Sequence, residues 1–189
     1  MTDLLCPGGD LHAALAPYRA LRDQVDQFCA RIVAEFAGQI RCRAGCDACC
    51  LLQGVLPVEA ASLALAWRDL PVASAAMLHR QLQVAGAGER CPLLDNDHCA
   101  LYTARPIICR THGLPLLIEE TAGMRVDRCP LNFTGLTTLP GTAVIHLERL
   151  NSALVAANRH YLATCFPDAE PAERIPLRQL VTFPAAIPD

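Results

Sequence analysis

Eight cysteines of this chain fall in two segments. The first reads Cys42-Arg-Ala-Gly-Cys46-Asp-Ala-Cys49-Cys50, and the second begins at Cys91-Pro-Leu-Leu, continues through Cys99 and Cys109-Arg110, and ends at Cys129-Pro. Sulfurs held about 2.3 Å from one metal must lie close together, and two or three intervening residues in a tight turn allow it. Gly45 supplies permissive backbone for that turn. Cys49 and Cys50 sharpen the expectation. Adjacent side chains diverge on either a helix or a strand, so these two should face different metals, or one should face a metal while the other packs. Eight thiolates divide into two four-sulfur sites, each drawing ligands from both segments. Such sites would staple the helical N-terminal half to the loop-rich middle. Four thiolates suit zinc and iron–sulfur clusters alike.

The remaining cysteines of the eleven, Cys6, Cys29 and Cys165, stand outside the spaced set and read as buried small hydrophobes. Arg105 and Arg110 flank Cys109 and are candidates to bind a cofactor by donating hydrogen bonds to thiolate or sulfide. The competing reading is an ordinary arginine with a packed stem. His98 and His112 are imidazoles near the ligand candidates, but sulfur already suffices for two sites, so solvent exposure is expected of them. Asp95 and Asp97 fit the turn of Asp-Asn-Asp. Leu101, Tyr102, Ile107 and Ile108 read as the apolar shell of a site.

The elements that must hold these residues are mostly helical. Leu15, Tyr18, Leu21 (or Arg22), Val25, Phe28, Ile32 and Phe36 recur at three- and four-residue steps, which predicts a helix from Leu11 to about Gly38. Asp10 is its candidate cap, although Pro17 points to a regular helix that starts there. Cys42–Cys50 is too rich in Cys, Gly and Asp for an ordinary helix and reads as a loop. Pro57 opens a helix over Val58–Leu70 and Pro71 another over Val72–Ala85, with Gly86 and Gly88 as stops. Leu114–Ile118 reads as a short strand, turned at Ala122-Gly123 into a second over Met124–Asp127. A long amphipathic helix is expected from about Gly141 to Cys165, with Val144, Leu147, Leu150, Leu154, Asn158 and Tyr161 along one side. The tail after Pro167 should wrap the surface, anchored by Leu177, Leu180 and Phe183. The expected fold is one mainly α domain over residues 1–189. It has a small cysteine-rich, loop and β-hairpin metal-binding core at 42–130, flanked by helices over 11–38 and 140–166.

Composition narrows the class. At 189 residues, 52% hydrophobic and 19% charged, the chain has material for a real core and is not disordered. A formal charge of −3 and no Lys/Arg-dense stripe disfavour a nucleic-acid partner. No window reaches the roughly 18 apolar residues of a membrane span, and Met1–Asp10 lacks the basic and apolar regions of a signal peptide. The reading is a cytoplasmic protein. In a reducing compartment clustered thiols more often ligate metal or do redox chemistry than pair structurally.

The order CxxxCxxCC, then CPLL, then a Cys shortly before a Tyr, then Arg105-Pro106-Ile107-Ile108-Cys109-Arg110, resembles the YkgJ-type cysteine-cluster family, also called the CxxCxxCC zinc- or iron-chelating domain. The likeness covers about residues 42 to 130. It implies chelation by Cys42, Cys46, Cys49, Cys50, Cys91, Cys99, Cys109 and Cys129 in a small bacterial cytosolic protein. For Cys91, Cys99, Cys109 and Cys129, individually the weaker candidates, the case rests on this likeness. One related branch is a flagellin lysine N-methylase, which makes an accessory role in protein modification an alternative, although this chain is much shorter than such an enzyme should be.

Cys42, Cys46 and Cys49 also satisfy the CxxxCxxC spacing of radical S-adenosylmethionine enzymes. Ala48 stands where those enzymes usually have an aromatic residue, and a mostly helical chain of this length cannot build their partial barrel. Nor does the sequence hold a Ser/His/Asp arrangement, a Gly-rich phosphate loop or HExxH. The expected function is therefore chelation of an iron–sulfur cluster or zinc through eight thiolates, with electron transfer or redox sensing as the role if iron. A structural zinc adaptor without catalysis is the alternative. Its protein partner would dock on an apolar stripe of the long helix, for which core packing is the competing use.

Overall fold

The computed structural model describes residues 5–7, 9–43, 45–51, 54–86, 90–168 and 173–182. Its first helix, α1 (Leu11–Glu35), starts where Asp10 accepts the backbone N–H groups of His12 and Ala13 at 2.9 and 3.2 Å. That cap satisfies two of the donors a helix start leaves open. Pro17 lies inside α1 rather than at its start, so the expected beginning at Pro17 is corrected. The helix also stops at Glu35 rather than Gly38, because Ala37–Gln39 tighten into a 3-10 turn. Its buried face carries Ala14, Leu15, Tyr18, Val25, Cys29 and Ile32.

A two-residue strand, β1 (Gly54–Val55), leads into α2 (Pro57–Arg68), and α3 (Val72–Val84) follows. Helix α2 is buried nearly all round, and helical spacing explains how. Val58 and Ala61 turn to one hydrophobic cluster, shared with α1, while Ala60, Leu63 and Trp67 turn to a second, shared with α3. The second cluster also holds Leu93 and Leu101, packed beside Cys91 and Cys99.

Next come the hairpin strands β2 (Leu94–Asp95) and β3 (His98–Cys99), the short helix α4 (Ile107–Thr111), and the pair β4 (Leu116–Glu120) and β5 (Gly123–Asp127). The turn expected at Ala122-Gly123 falls one residue earlier, at Thr121-Ala122: Gly123 already pairs with Glu120 as the first residue of β5, with a φ of 126° that suits glycine. The expected long helix begins later than Gly141. Gly141–Ala143 is a 3-10 turn and Ile145–His146 is a strand, β6, parallel to Leu116–Leu117 of β4. Ile145 donates its N–H to the Pro115 carbonyl at 2.8 Å and buries its side chain, a sheet contact that delays α5 to Leu147–Cys165. Helix α5 packs on α1 and α2, with Leu154, Ala157, Asn158 and Tyr161 buried, and its Asn158 Oδ1 accepts the Val58 N–H at 3.0 Å.

The tail returns as β7 (Ile175–Pro176), antiparallel to β1, and buries Leu177 and Leu180 against the second cluster. The expected third anchor, Phe183, lies outside the described residues. The chain is thus mainly α with small sheets. Among the described residues no helix is long and apolar enough to cross a membrane. One reading of the cysteines is overturned here. Cys6 and Cys165 do not pack as free thiols but form a disulfide across 159 residues of sequence, tying the N-terminal segment to the end of α5. Cys29 is the buried free thiol that was expected.

Candidate metal centre

The loop that carries Cys42–Cys50 is two consecutive turns. Cys46 donates its N–H to the Arg43 carbonyl at 3.0 Å and Cys50 to that of Asp47 at 2.8 Å. Gly45 between them has φ 79°, the left-handed conformation that glycine adopts without strain. Backbone pairing brings the second segment alongside: Cys91 donates to the Cys50 carbonyl at 2.8 Å, and Leu51 bridges Arg90. Arg90 reinforces that junction by binding Asp47 at 2.6 Å and also Asp97 in the hairpin turn. The hairpin places Cys99 opposite Leu94, over a turn in which Asn96 and Asp97 both have positive φ, so the Asp-Asn-Asp turn is where it was expected. Cys109 rides on α4, a helix that the sequence did not announce.

These placements sort the thiols. Burial, helped by the neighbouring sulfurs of Cys50, Cys42 and Cys46, pushes the Cys49 thiol up to about 11. Burial likewise raises Cys91 to about 11, with Cys99 and Cys50 as its sulfur neighbours. Cys99 is raised by burial, with Cys50 beside it, and Cys109 rises furthest, again by burial first, then through Cys91, Cys99, Glu59 and Cys50. Cys50, Cys91, Cys99 and Cys109 are therefore neighbours, and Cys50 also touches Cys49, which has Cys42 and Cys46 beside it. The divergence expected of Cys49 and Cys50 is not seen: their side chains are hydrogen-bonded to each other, so the two thiols meet at the junction of the two groups.

Cys129 joins the Cys42 side. A Cβ built on Gly113 would lie 2.9 Å from Cys42 Sγ and 3.6 Å from Cys129 Cβ, so both cysteines crowd the same bare backbone, at a residue whose φ is 85°. Cys129 donates its N–H to the Gly113 carbonyl at 3.4 Å. Asn132, 1% exposed, links the strands of this corner: Oδ1 accepts the Arg41 N–H at 2.7 Å, and Nδ2 donates to the Gly113 carbonyl at 2.7 Å and to Cys42 Sγ at 3.3 Å. Neither Asn132 nor Gly113 was singled out in the sequence. A lone Asn in a loop carries no periodic or spacing signal, and only Cys129-Pro three residues earlier marked its neighbourhood.

The polar candidates separate. Arg110 is buried, its side chain 3% exposed, and it spends its donors elsewhere: Nη1 on Asp26 of α1 at 2.5 Å, Nε on the Arg105 carbonyl at 2.7 Å and Nη2 on the Thr103 carbonyl at 2.6 Å. Each of these three nitrogens thus points at an oxygen: Nη1 ties α4 to α1, and the other two hold the segment that precedes α4. Arg105 stacks its guanidinium over the Tyr102 ring, 3.6 Å from the centroid, and its charge still reaches Cys50 and Cys99. His98 is exposed, its Nδ1 2.7 Å from the Asn96 carbonyl. His112 is half-buried instead of exposed. Burial lowers its pKa, and a hydrogen bond with the Cys49 backbone opposes that. Glu59, buried on α2, is the charged neighbour of Cys109 that the sequence reading missed.

Among the described residues no three His, Cys, Asp or Glu side chains converge tightly enough to hold one ion. The thiols are neighbours rather than a closed cage. Their chemistry still fits a soft metal: sulfur donors gathered from distant segments, mostly half-buried, with protons that a metal can displace. Residues 41–130 match the family model described as "CxxCxxCC: Putative zinc- or iron-chelating domain". Over this segment, just under half of its length, the chain is similar to that family. The match begins one residue before Cys42, ends one after Cys129, and so contains the eight clustered cysteines while leaving out α1 and α5. It supports metal chelation as the business of the CxxCxxCC segment. No curated protein and no solved structure matches the chain.

Proposed function

We propose that this protein chelates iron, as an iron–sulfur cluster, or zinc through eight thiolates in two sets: Cys42, Cys46, Cys49 and Cys129 in the first, and Cys50, Cys91, Cys99 and Cys109 in the second. The observation that carries the reading is the proximity of Cys50, Cys91, Cys99 and Cys109, four half-buried cysteines drawn from three separate stretches of chain. Desolvated thiols so close together are costly to ionise unless a cation is shared among them. Closing on an ion requires their side chains to draw together. Bound iron–sulfur clusters supply one-electron chemistry, and bound zinc supplies folding energy.

The chain's own residues frame both sets. Arg90 with Asp47 and Asp97 pins the first cysteine loop to the hairpin, and Arg105 brings positive charge to Cys50 and Cys99, offsetting the negative charge of thiolates. Arg105 is accordingly the cofactor-binding arginine of this reading, and Arg110 is its structural support through the Arg105 carbonyl. A cytoplasmic location would keep the eight thiols reduced for metal, whereas the Cys6–Cys165 disulfide is a bond that forms in an oxidising compartment. Electron transfer or redox sensing follows if the metal is iron, and an adaptor role if it is zinc.

The division into sets is tested by metal stoichiometry. Cys99→Ser or Cys46→Ser alone should halve the metal bound per folded chain, and the pair together should abolish it. Full loading in both single variants would show that these cysteines are not ligands.

A further inference from the structure

The side-chain amide of Asn132 has an orientation fixed by its surroundings. Oδ1 meets a backbone N–H, that of Arg41, and Nδ2 meets a backbone carbonyl, that of Gly113, so exchanging oxygen and nitrogen would set two donors face to face and two acceptors face to face. One amide hydrogen is thus committed to Gly113. The second points to Cys42 Sγ, 3.3 Å away. Asn132 is almost fully buried, so this hydrogen has no water to turn to. The corner is rigid around it: Asn132 donates its own N–H to the Cys129 carbonyl at 2.9 Å, Phe133 donates to the Gln39 carbonyl at 2.8 Å, and Arg128 Nε reaches the Asn132 carbonyl at 3.3 Å. The side chain therefore gathers the backbone before Cys42 and the backbone at Gly113, the main chain of the same residue holds the Cys129 turn, and the amide still has a donor for the sulfur.

We propose that Asn132 is a positioning residue of the first thiolate set, holding Cys42 Sγ by an N–H···S hydrogen bond that fixes the ligand's direction and disperses charge on the metal-bound thiolate. This rests on the thiolate reading of Cys42. A neutral amide suits the task because it donates to sulfur without adding a cation that would compete with the metal, and it lies two residues beyond the CxxCxxCC match. Hydrogen bonds around metal ligands commonly carry about 10- to 100-fold in affinity.

Two measurements test it, the first on the unaltered chain. In protein loaded with cadmium-113 and labelled with nitrogen-15, an Asn132 side-chain amide proton should show a scalar coupling to cadmium through the sulfur. A cadmium-loaded protein in which neither Asn132 amide proton couples overturns the proposal. The second is a titration with cobalt(II) alone. Asn132→Asp keeps an acceptor for the Arg41 N–H but removes both donors. It should weaken one of two cobalt sites about 10- to 100-fold and shift that site's sulfur-to-cobalt absorption band, leaving the other site unchanged. In a Cys42→Ser background the same substitution should add little, because the sulfur partner is gone. Equal weakening of both sites, or the full loss again in the Cys42→Ser background, would mark Asn132 as merely structural and overturn the assignment. Wild-type protein that takes up neither metal overturns the chelation reading and this assignment with it. Wild-type protein that binds cobalt indistinguishably from Asn132→Asp overturns the assignment alone.

Discussion

Glu59 and Ile107 are joined by a buried hydrogen bond: Oε1 of the α2 carboxylate accepts the first backbone N–H of α4 at 2.9 Å. The other oxygen, Oε2, accepts the Leu56 N–H at 3.0 Å, so one carboxylate caps two helix starts at once. Because α4 has only five residues and carries Cys109 at its centre, this contact sets where that thiol lies.

Glu59→Ala should therefore act at two levels. Two buried N–H groups lose their acceptor, at about 1–3 kcal/mol each, and α4 loses its anchor. We expect a drop in unfolding free energy of about 2–6 kcal/mol, measured by denaturant titration, together with reduced metal content in the second thiolate set. Stability and metal content both unchanged would show that Cys109 is positioned by other contacts.

The metal-free protein should weaken in alkali. Burial lifts Cys49 and Cys91 from an ordinary thiol value of 9.0 to about 11 in the folded chain. A raised folded value means stability is fully present below about pH 9 and is lost as pH rises through about 11, because the unfolded chain releases those protons first. Thermal midpoints between pH 8 and 11 should fall in metal-free protein. They should fall less once metal is bound, since ligated thiolates no longer titrate. An identical decline in both forms would place these thiols away from the metal.

Cys165→Ser removes a link that closes nearly the whole chain, at a typical cost of about 2–4 kcal/mol, which corresponds to a midpoint roughly 5–15 °C lower. Metal content should not change, because Cys6 and Cys165 lie outside both thiolate sets. A variant that loses metal but keeps its midpoint would exchange the roles assigned to the paired and the clustered cysteines.

What the sequence conveyed depends on how far each signal extends along the chain. The face of α1 was legible because Leu15, Tyr18, Val25 and Ile32 repeat over many turns, and the hairpin turn was legible because Asp95-Asn96-Asp97 suits positive φ. Helix α4 was not, since five residues between Pro106 and Gly113 hold barely more than one helical turn. Strand β6 was hidden for a similar reason: two residues show no alternation, and their pairing with β4 is a long-range event. The Cys6–Cys165 bond spans 159 residues, so nothing local in either segment announces it. The eight clustered cysteines stood out by spacing and by family likeness, whereas Asn132 and Glu59 become visible only when distant segments meet.

The central claim is that the clustered thiols bind metal, and anaerobic purification followed by metal analysis and an optical spectrum tests it most directly. The account predicts two ions or two clusters per chain: brown protein absorbing near about 400 nm if iron–sulfur, colourless protein with stoichiometric zinc otherwise. Folded protein recovered without metal, with a melting curve that chelator leaves unchanged, would contradict it.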